Sequence, residues 1–195
     1  MKKIILASGS PRRRELLTQI GISFEVVKAE GEEKITTDDP EEAVKELAMQ
    51  KAQEVAGRVD ADVVIGADTV VAVDGEIMGK PKDPADAARM IHRIQGRDHE
   101  VLTGVAVILK KGEVETTINF AETTRVHVFP MTEEEIQAYA SSKEPMDKAG
   151  AYGIQGLFAA YVSGIEGDYN NVVGLPVGRL YQEVKAIADV DLRTL

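Results

Sequence analysis

The chain opens on an apolar stretch that leads directly into a turn and then a helix. Ile4–Ala7 is the apolar stretch, and Ser8-Gly9-Ser10 has the small residues of a tight turn. Ser10-Pro11 is typical of an N-cap followed by the first helical residue. The opening therefore predicts a buried strand joined at once to a helix, and so an early strand–helix alternation.

Three arginines occupy the first turn of that predicted helix. Arg12, Arg13 and Arg14 stand where acidic residues are favoured, because a helix N-terminus carries roughly +0.5 of a charge. Each exposed cation there costs about 0.3–1 kcal/mol. Free amides at the helix start, small turn residues and forked guanidiniums together predict a phosphate-binding site. The alternative is a solvated basic helix start beside an ordinary strand–helix turn.

The rest of the sequence alternates between strand and helix patterns, with long hairpins in its middle. Strands are predicted over 3–7, 23–28, 62–73, 99–110, 114–129 and 158–165. Helices are predicted over 11–20, 40–57, 84–95 and 176–188, with a short helix after the capping box at Thr132. This pattern predicts an α/β protein with a mixed sheet flanked by helices, and the length favours a single domain over 1–195.

Composition excludes several classes of function. The 195 residues carry a net charge of −10 and only 5% aromatic residues, which argues against general nucleic-acid binding. The absence of cysteine excludes disulfides, zinc–thiolate sites and thiol catalysis, and it fits a cytoplasmic location. The first apolar run is too short for a signal peptide, and no stretch is long enough to predict a membrane span.

Asp68 is the strongest single candidate for a catalytic or metal-binding residue. It follows the apolar stretch Val63–Ala67, where an ionised carboxylate is costly unless it is paired, hydrogen-bonded or metal-bound. We predict that it is a general base or a metal ligand, with Gly66 and Ala67 leaving space for a ligand. The alternative is a strand-end aspartate that is bonded to neighbouring amides.

Charged residues in two loops could complete such a site. Lys80 follows a predicted hairpin and could bring an ammonium group to Asp68. Glu32 and Glu33 lie in the acidic 29–39 loop, and their carboxylates could bind a hydrated Mg²⁺. The alternative is an acidic loop that is simply solvated.

The stretch 144–156 combines three glycines with polar side chains of different hydrogen-bonding character. Among them, Gln155 can present a donor and an acceptor together, which suits the edge of a uracil or thymine ring. By itself the stretch is equally consistent with an ordinary flexible loop. The sequence contains neither the GxxxxGK[ST] motif of P-loop proteins nor a GxGxxG dinucleotide motif.

Taken in order, these stretches resemble the Maf family of nucleoside triphosphate pyrophosphatases. The resemblance covers about residues 4–188 and rests on 7–13 with 15–17, 32–34, 51–52, 66–69, 79–81, 147–156 and 173–176. The form Ala-Tyr-Gly-Ile-Gln-Gly in 151–156 resembles the branch of the family that acts on dTTP and UTP. The branch that prefers 7-methyl-GTP differs in this loop.

The resemblance implies an elongated α/β fold similar to that of inosine triphosphate pyrophosphatases, with two lobes around a cleft and often a homodimer. It implies hydrolysis of a nucleoside triphosphate to the monophosphate and pyrophosphate, with a divalent metal such as Mg²⁺, Mn²⁺ or Co²⁺. It makes Asp68 the general base of the reaction. It links Arg12 (with Arg13), Thr69 and Gln155 to the selection of the nucleobase and the substrate. The other cleft residues that it implies are Ser8, Glu33, Lys51, Lys80, Asp147 and Lys148.

Within the implied mechanism, Lys51 and Lys80 join Asp68 as catalytic residues, and Glu33 and Asp68 are candidate metal ligands. Three alternatives stay open at this point. One is a nucleotide-binding regulator of cell division that hydrolyses nothing. Another is an enzyme that removes modified pyrimidine triphosphates such as 5-methyl-UTP. The third, a nucleic-acid-binding module, is disfavoured by the charge of −10.

Overall fold

The computed structural model describes residues 3–195 and contains one seven-stranded sheet. The strands are β1 (Ile4–Leu6), β2 (Glu25–Val26), β3 (Val63–Val73), β4 (Glu76–Met78), β5 (Asp98–Lys111), β6 (Val114–Val128) and β7 (Val162–Glu166). The helices are α1 (Pro11–Gln19), α2 (Pro40–Arg58), α3 (Pro84–Ile94), α4 (Glu133–Ala140), α5 (Tyr169–Val173) and α6 (Val177–Ala188). Short 3₁₀ turns cover Pro145–Asp147, Ala149–Ala151 and Leu157–Tyr161. Met1 and Lys2, where the predicted domain begins, lie outside the described residues.

The sheet mixes parallel and antiparallel pairing, as the sequence predicts. Its strand order is β2-β1-β3-β5-β6-β7, and β4 also pairs with β3. β1 runs parallel to both β2 and β3, whereas the β3–β5, β5–β6 and β6–β7 pairs are antiparallel. The early strand–helix alternation supplies the parallel pairs, and the long β5–β6 hairpin supplies an antiparallel one.

One face of β3 contributes to two separate apolar cores. Its first half places Val63 and Ile65 in a core shared with α1 and α6. Its second half places Val71 and Val73 in a core shared with α3 and α4. We call the parts of the molecule built on these two cores the first and the second lobe. Asp68 lies between the two sets of β3 residues, and the cleft between the lobes opens at this position.

Helix α2 packs very close to the sheet because two glycines leave room for its backbone. A Cβ at Gly66 would collide with backbone atoms of Ala48 and Ala52, and a Cβ at Gly104 would collide with the backbone of Val44. The prediction that Gly66 leaves space for a ligand is therefore wrong, since α2 fills that space. The close approach instead brings side chains of α2 to the middle of β3.

The predicted strand over 158–165 is wrong in its first half. Leu157–Tyr161 forms a 3₁₀ turn, and strand pairing begins only at Val162. The carboxylate of Glu144 accepts hydrogen bonds from the first two backbone N–H groups of this turn (2.8 and 3.4 Å), which favours the turn over a strand.

The remaining predicted elements are observed with small shifts of their bounds, although β2 covers only Glu25–Val26 of the predicted 23–28. Thr132 makes the predicted capping box, whereas Ser10 occupies the N-cap of α1 without a side-chain capping bond. The sequence patterns do not predict α5.

Across residues 3–195, no helix has both the length and the hydropathy needed to cross a membrane.

Candidate active site

The boundary between the two lobes opens into a cleft of about 1040 Å³, which is large enough for a nucleotide. Every site residue predicted from the sequence, except Arg14 and Glu32, lines this cleft: Ser8, Arg12, Arg13, Glu33, Lys51, Asp68, Thr69, Lys80, Asp147, Lys148 and Gln155. The structure thus brings together residues from six separate stretches of sequence. The chemical role of each residue stays a prediction.

An ion-pair cluster at the middle of β3 joins this strand and the 29–39 loop to α2. The Lys51 ammonium contacts Oδ1 of Asp68 and lies 2.9 Å from Oε1 of Glu33. The side chains of Lys51 and Asp68 are each 16% exposed, so water screens this pair only in part. Asp68 is therefore a paired carboxylate within a strand, and the alternative of a strand-end residue bonded to amides is wrong.

Arg13 is buried, and four of its N–H groups are bonded to protein atoms. Nε donates to the Gly174 carbonyl (2.8 Å), and one Nη donates to Ser8 Oγ (3.0 Å) and the Ala67 carbonyl (2.9 Å). The other Nη donates to Thr69 Oγ1 (3.0 Å). Burial lowers the pKa of the guanidinium, and a nearby carboxylate opposes this shift. Arg13 thus links the start of α1 to the middle of β3, with one N–H left for a ligand.

Thr69 extends this hydrogen-bond network to β5. Its Oγ1 lies 2.9 Å from Oγ1 of Thr103, its partner in the strand register. Thr103 in turn donates to the carbonyl of Asn171, the buried central residue of α5 (3.1 Å). Sequence analysis missed Thr103, because nothing in the local pattern shows which residue of β5 lies opposite Thr69.

Arg12 reaches across the cleft to the second lobe. Its guanidinium lies 3.4 Å from Oδ2 of Asp147. The Lys148 ammonium donates to Oδ1 of Asp147 (2.6 Å) and to the carbonyl of Glu144 (2.6 Å). Partial burial acts to raise the pKa of Asp147, but its contacts with Lys148 and Arg12 outweigh burial and lower it. The Arg12–Asp147 ion pair therefore connects the two walls of the cleft.

The segment 144–158, which carries Gln155, is held by side-chain contacts rather than by a long regular element. The Glu144 carboxylate accepts the two N–H groups described above and also a tyrosine hydroxyl from α4 (3.1 Å). Tyr152 is buried, and its hydroxyl lies 2.6 Å from Nε2 of His99 on β5. Burial lowers the pKa of His99 to about 4, so its imidazole is neutral near pH 7. Sequence analysis gave His99 no role in positioning this segment.

Two lysines of the cleft have no acidic partner within residues 3–195. No carboxylate oxygen lies within 4.0 Å of the ammonium of Lys28 or of Lys80. Lys80 is among the predicted site residues, whereas Lys28 follows β2 in a region where the sequence shows no motif. Both ammonium groups are therefore available to an anionic ligand.

Asp68 and Glu33 provide a donor set that fits a divalent cation bound together with substrate phosphates. Each has an oxygen in contact with the Lys51 ammonium, so the two carboxylates converge on one small volume. No group of three His, Cys, Asp or Glu side chains within 3–195 is arranged to hold a metal ion by protein ligands alone. Mg²⁺ commonly takes one or two carboxylates and completes its shell with phosphates and water.

Fold and site together define an α/β protein whose interlobe cleft is built for a polyanionic ligand beside a paired carboxylate. Residues 3–187 match the family described as Maf-like protein, and the chain belongs to that family. The family resemblance that the sequence predicts over about residues 4–188 is therefore confirmed.

Curated relatives agree with this assignment over nearly the whole chain. A dTTP/UTP pyrophosphatase of Agathobacter rectalis is 53% identical, with 96% of this chain and 98% of the relative covered. Proteins of the same name from Lachnoclostridium phytofermentans and Bacillus cereus are 52% and 51% identical, covering 95% of this chain and 95% and 90% of the relatives. Among solved structures, the Ham1 protein of Staphylococcus aureus matches 65% of this chain and 72% of its own with a TM-score of 0.48 at 16% identity.

Proposed function

We propose that this protein hydrolyses dTTP and UTP to the nucleoside monophosphate and pyrophosphate. The observation that carries the proposal is the Asp68 carboxylate, which is paired with Lys51 in a cleft lined by cations from both lobes. The relatives named dTTP/UTP pyrophosphatase support the same substrates, since they are about half identical over nearly the full length.

Asp68 is suited to act as the general base. Lys51 holds its Oδ1, and no donor from residues 3–195 contacts its Oδ2. A water molecule bonded to Oδ2 attacks the α-phosphorus in line, and its proton passes to the carboxylate. A new phosphorus–oxygen bond forms, the bond from the α-phosphorus to the bridging oxygen breaks, and that electron pair leaves with pyrophosphate.

Cations of the cleft stabilise the charge that develops on the leaving pyrophosphate. Lys80 has an unpaired ammonium, and Arg12 and Lys51 have partners that a triphosphate can replace at the cleft surface. Such preorganised charges contribute most where water is partly excluded. Arg13 contributes its one remaining N–H and keeps Ser8 and Thr69 in place.

Gln155 selects the nucleobase of the substrate in this proposal. Its amide offers a donor and an acceptor, and these match the N3–H and carbonyl edge that uracil and thymine share. Arg12 and Thr69 line the same cleft and take part in this selection. Because the shared edge does not include the 5-position, the proposal extends to modified pyrimidine triphosphates such as 5-methyl-UTP.

A divalent cation is part of the proposal, with Mg²⁺, Mn²⁺ or Co²⁺ as candidates. Asp68 and Glu33 would hold it, because their carboxylates converge as described above. When bound, such an ion offsets the negative charge of the triphosphate and polarises its phosphorus–oxygen bonds.

A homodimer and a cytoplasmic location are also proposed, on the resemblance to the family. Light scattering after gel filtration tests the dimer.

Pyrophosphate release from a panel of purine and pyrimidine triphosphates, with each of the three metals, tests the function. We expect release from dTTP, UTP and related pyrimidine triphosphates and far slower release from ATP and GTP. Equal rates with purines would contradict the role of Gln155. Tight nucleotide binding without release from any triphosphate would instead favour a non-hydrolytic regulator.

A further inference from the structure

Lys28 crosses directly over the turn between β1 and α1. A Cβ built on Gly9 would lie 3.0 Å from Cδ of Lys28 and 3.2 Å from its Nζ, and closer still to Cε. The absence of a side chain at Gly9 therefore creates the path that Lys28 occupies. Gly9 does not have a positive φ, so its backbone conformation does not by itself require glycine.

The backbone of Lys28 is fixed while its ammonium is free. Arg58 donates a hydrogen bond to the Lys28 carbonyl, and the neighbouring Val27 N–H donates to the Leu6 carbonyl (3.1 Å). In contrast, no carboxylate oxygen of residues 3–195 lies within 4.0 Å of the Lys28 Nζ. The Lys28 backbone is thus held by hydrogen bonds, and its ammonium lies in the cleft without a carboxylate partner, so it can bind an anion.

The turn beneath Lys28 offers further groups that favour an anion. Ser10 occupies the N-cap of α1 without a side-chain capping bond, and Pro11 has no N–H, so the N–H groups of Arg12 and Arg13 at the start of this nine-residue helix are available to a ligand. The first turn of α1 contains no acidic residue. The Lys28 ammonium and the helix start therefore face one part of the cleft, where negative charge is stabilised from two sides.

We propose that Lys28 is a substrate-binding residue that contacts the phosphate tail of the nucleotide, and that Gly9 is required because it lets Lys28 cross the turn. The inference rests on the proposed pyrophosphatase function and adds a contact to it. Because the contact involves phosphates and not the base, it is shared by all triphosphates and by free pyrophosphate.

Lys28→Met removes the charge while it keeps most of the side-chain length. We expect KM for dTTP to rise about tenfold and kcat to change less than about twofold, since one exposed charge-assisted contact is lost. Inhibition by pyrophosphate should weaken by a similar factor, whereas inhibition by dTMP should not change. Lys111→Met, at the exposed last residue of β5 outside the cleft, is the matched control.

A double-mutant cycle isolates the role of Gly9. Gly9→Ala should raise KM in the wild-type background, because the added methyl group displaces Lys28. In a Lys28→Ala background the same substitution should have almost no effect, which is the non-additivity expected for residues in contact. An equal cost of Gly9→Ala in both backgrounds would overturn the proposed role of Gly9.

Direct binding of pyrophosphate, measured by calorimetry, separates this inference from the proposed function. If the wild-type protein releases no pyrophosphate from any nucleotide, the proposed function fails, yet Lys28 can still be tested by its effect on pyrophosphate binding. Unchanged pyrophosphate affinity in Lys28→Met, or an equal weakening of dTMP, would overturn the assignment of Lys28 to the phosphate tail.

Discussion

The two walls of the cleft are built in different ways. The first wall consists of the β1–α1 turn, α2 and β3, and it is fixed by backbone packing such as the contact of α2 with Gly66. The second wall is the segment 144–158, which is fixed by a few side chains, chiefly Glu144 and the His99–Tyr152 pair. The comparison indicates that Asp68, the proposed general base, lies on the wall that is fixed by backbone packing, whereas Gln155, the proposed nucleobase-selecting residue, lies on the wall that depends on a few side-chain hydrogen bonds.

Loss of Arg13 should have the largest effect on stability, because this residue joins the β1–α1 turn and β3 to the C-terminal end of α5. Arg13→Met leaves the buried carbonyls of Ala67 and Gly174 without their donors. We expect the free energy of unfolding to fall by about 3–5 kcal/mol. Urea denaturation measures this change, and Arg14→Met, at an exposed position of the same helix, is the control. A loss below about 1 kcal/mol would contradict a structural role for Arg13.

The second wall should be the more sensitive to acid, through His99. Its pKa in the folded protein is about 4, which is below the value of about 6.5 expected in the unfolded chain. The stability due to neutral His99 is therefore present above pH 6.5 and is lost as the pH falls towards 4, by about 3 kcal/mol at most.

Urea denaturation of wild type and His99→Gln between pH 7 and pH 4 measures this contribution. The difference between their unfolding free energies should shrink as the pH falls, because proton uptake by the exposed imidazole of His99 stabilises the unfolded state of wild type only. Tyr152→Phe keeps the imidazole and should retain the pH dependence. A difference that is constant with pH would show that His99 titrates normally in the folded protein.

Removal of the Glu144 carboxylate should have a smaller effect, confined to substrate binding. Glu144→Ala releases the 3₁₀ turn that follows Gln155, so we expect KM for dTTP to rise about tenfold and kcat to change little. Discrimination between dTTP and purine triphosphates should fall as well. Steady-state kinetics measures both, with Glu113→Ala at the exposed β5–β6 turn as control. A fall in kcat without a change in KM would mean that this wall also positions the reacting groups.

Much of this arrangement could be predicted from the sequence, and what could not depends on long-range contacts. The opening motif and Asp68 stood out because their residue types contradict local preferences for helix starts and apolar strands. The 3₁₀ turn at 157–161 could not be foreseen, because the carboxylate that stabilises it comes from Glu144. Lys28 was missed for the same reason: its relation to Gly9 exists only after β2 has paired with β1.

The prediction that Gly66 leaves space for a ligand is wrong because a glycine in a strand has more than one explanation. Close approach of a ligand and close approach of a helix both require the missing Cβ, and the sequence does not distinguish them. The structure shows the helix. The packing of α2 against Gly66 nevertheless shapes the candidate site, because it places Lys51 against Asp68.

The most direct test of the account is turnover of dTTP by Asp68→Asn, with Asp60→Asn at an exposed aspartate as the matched control. Lys51 keeps Glu33 as a partner in this variant, so the fold should survive, and thermal denaturation verifies this. We predict that kcat falls by about 10²–10⁴ while the control is unchanged, as expected when a general base is lost. A folded Asp68→Asn variant that retained more than about a tenth of the wild-type kcat would contradict the assignment of Asp68 as the base.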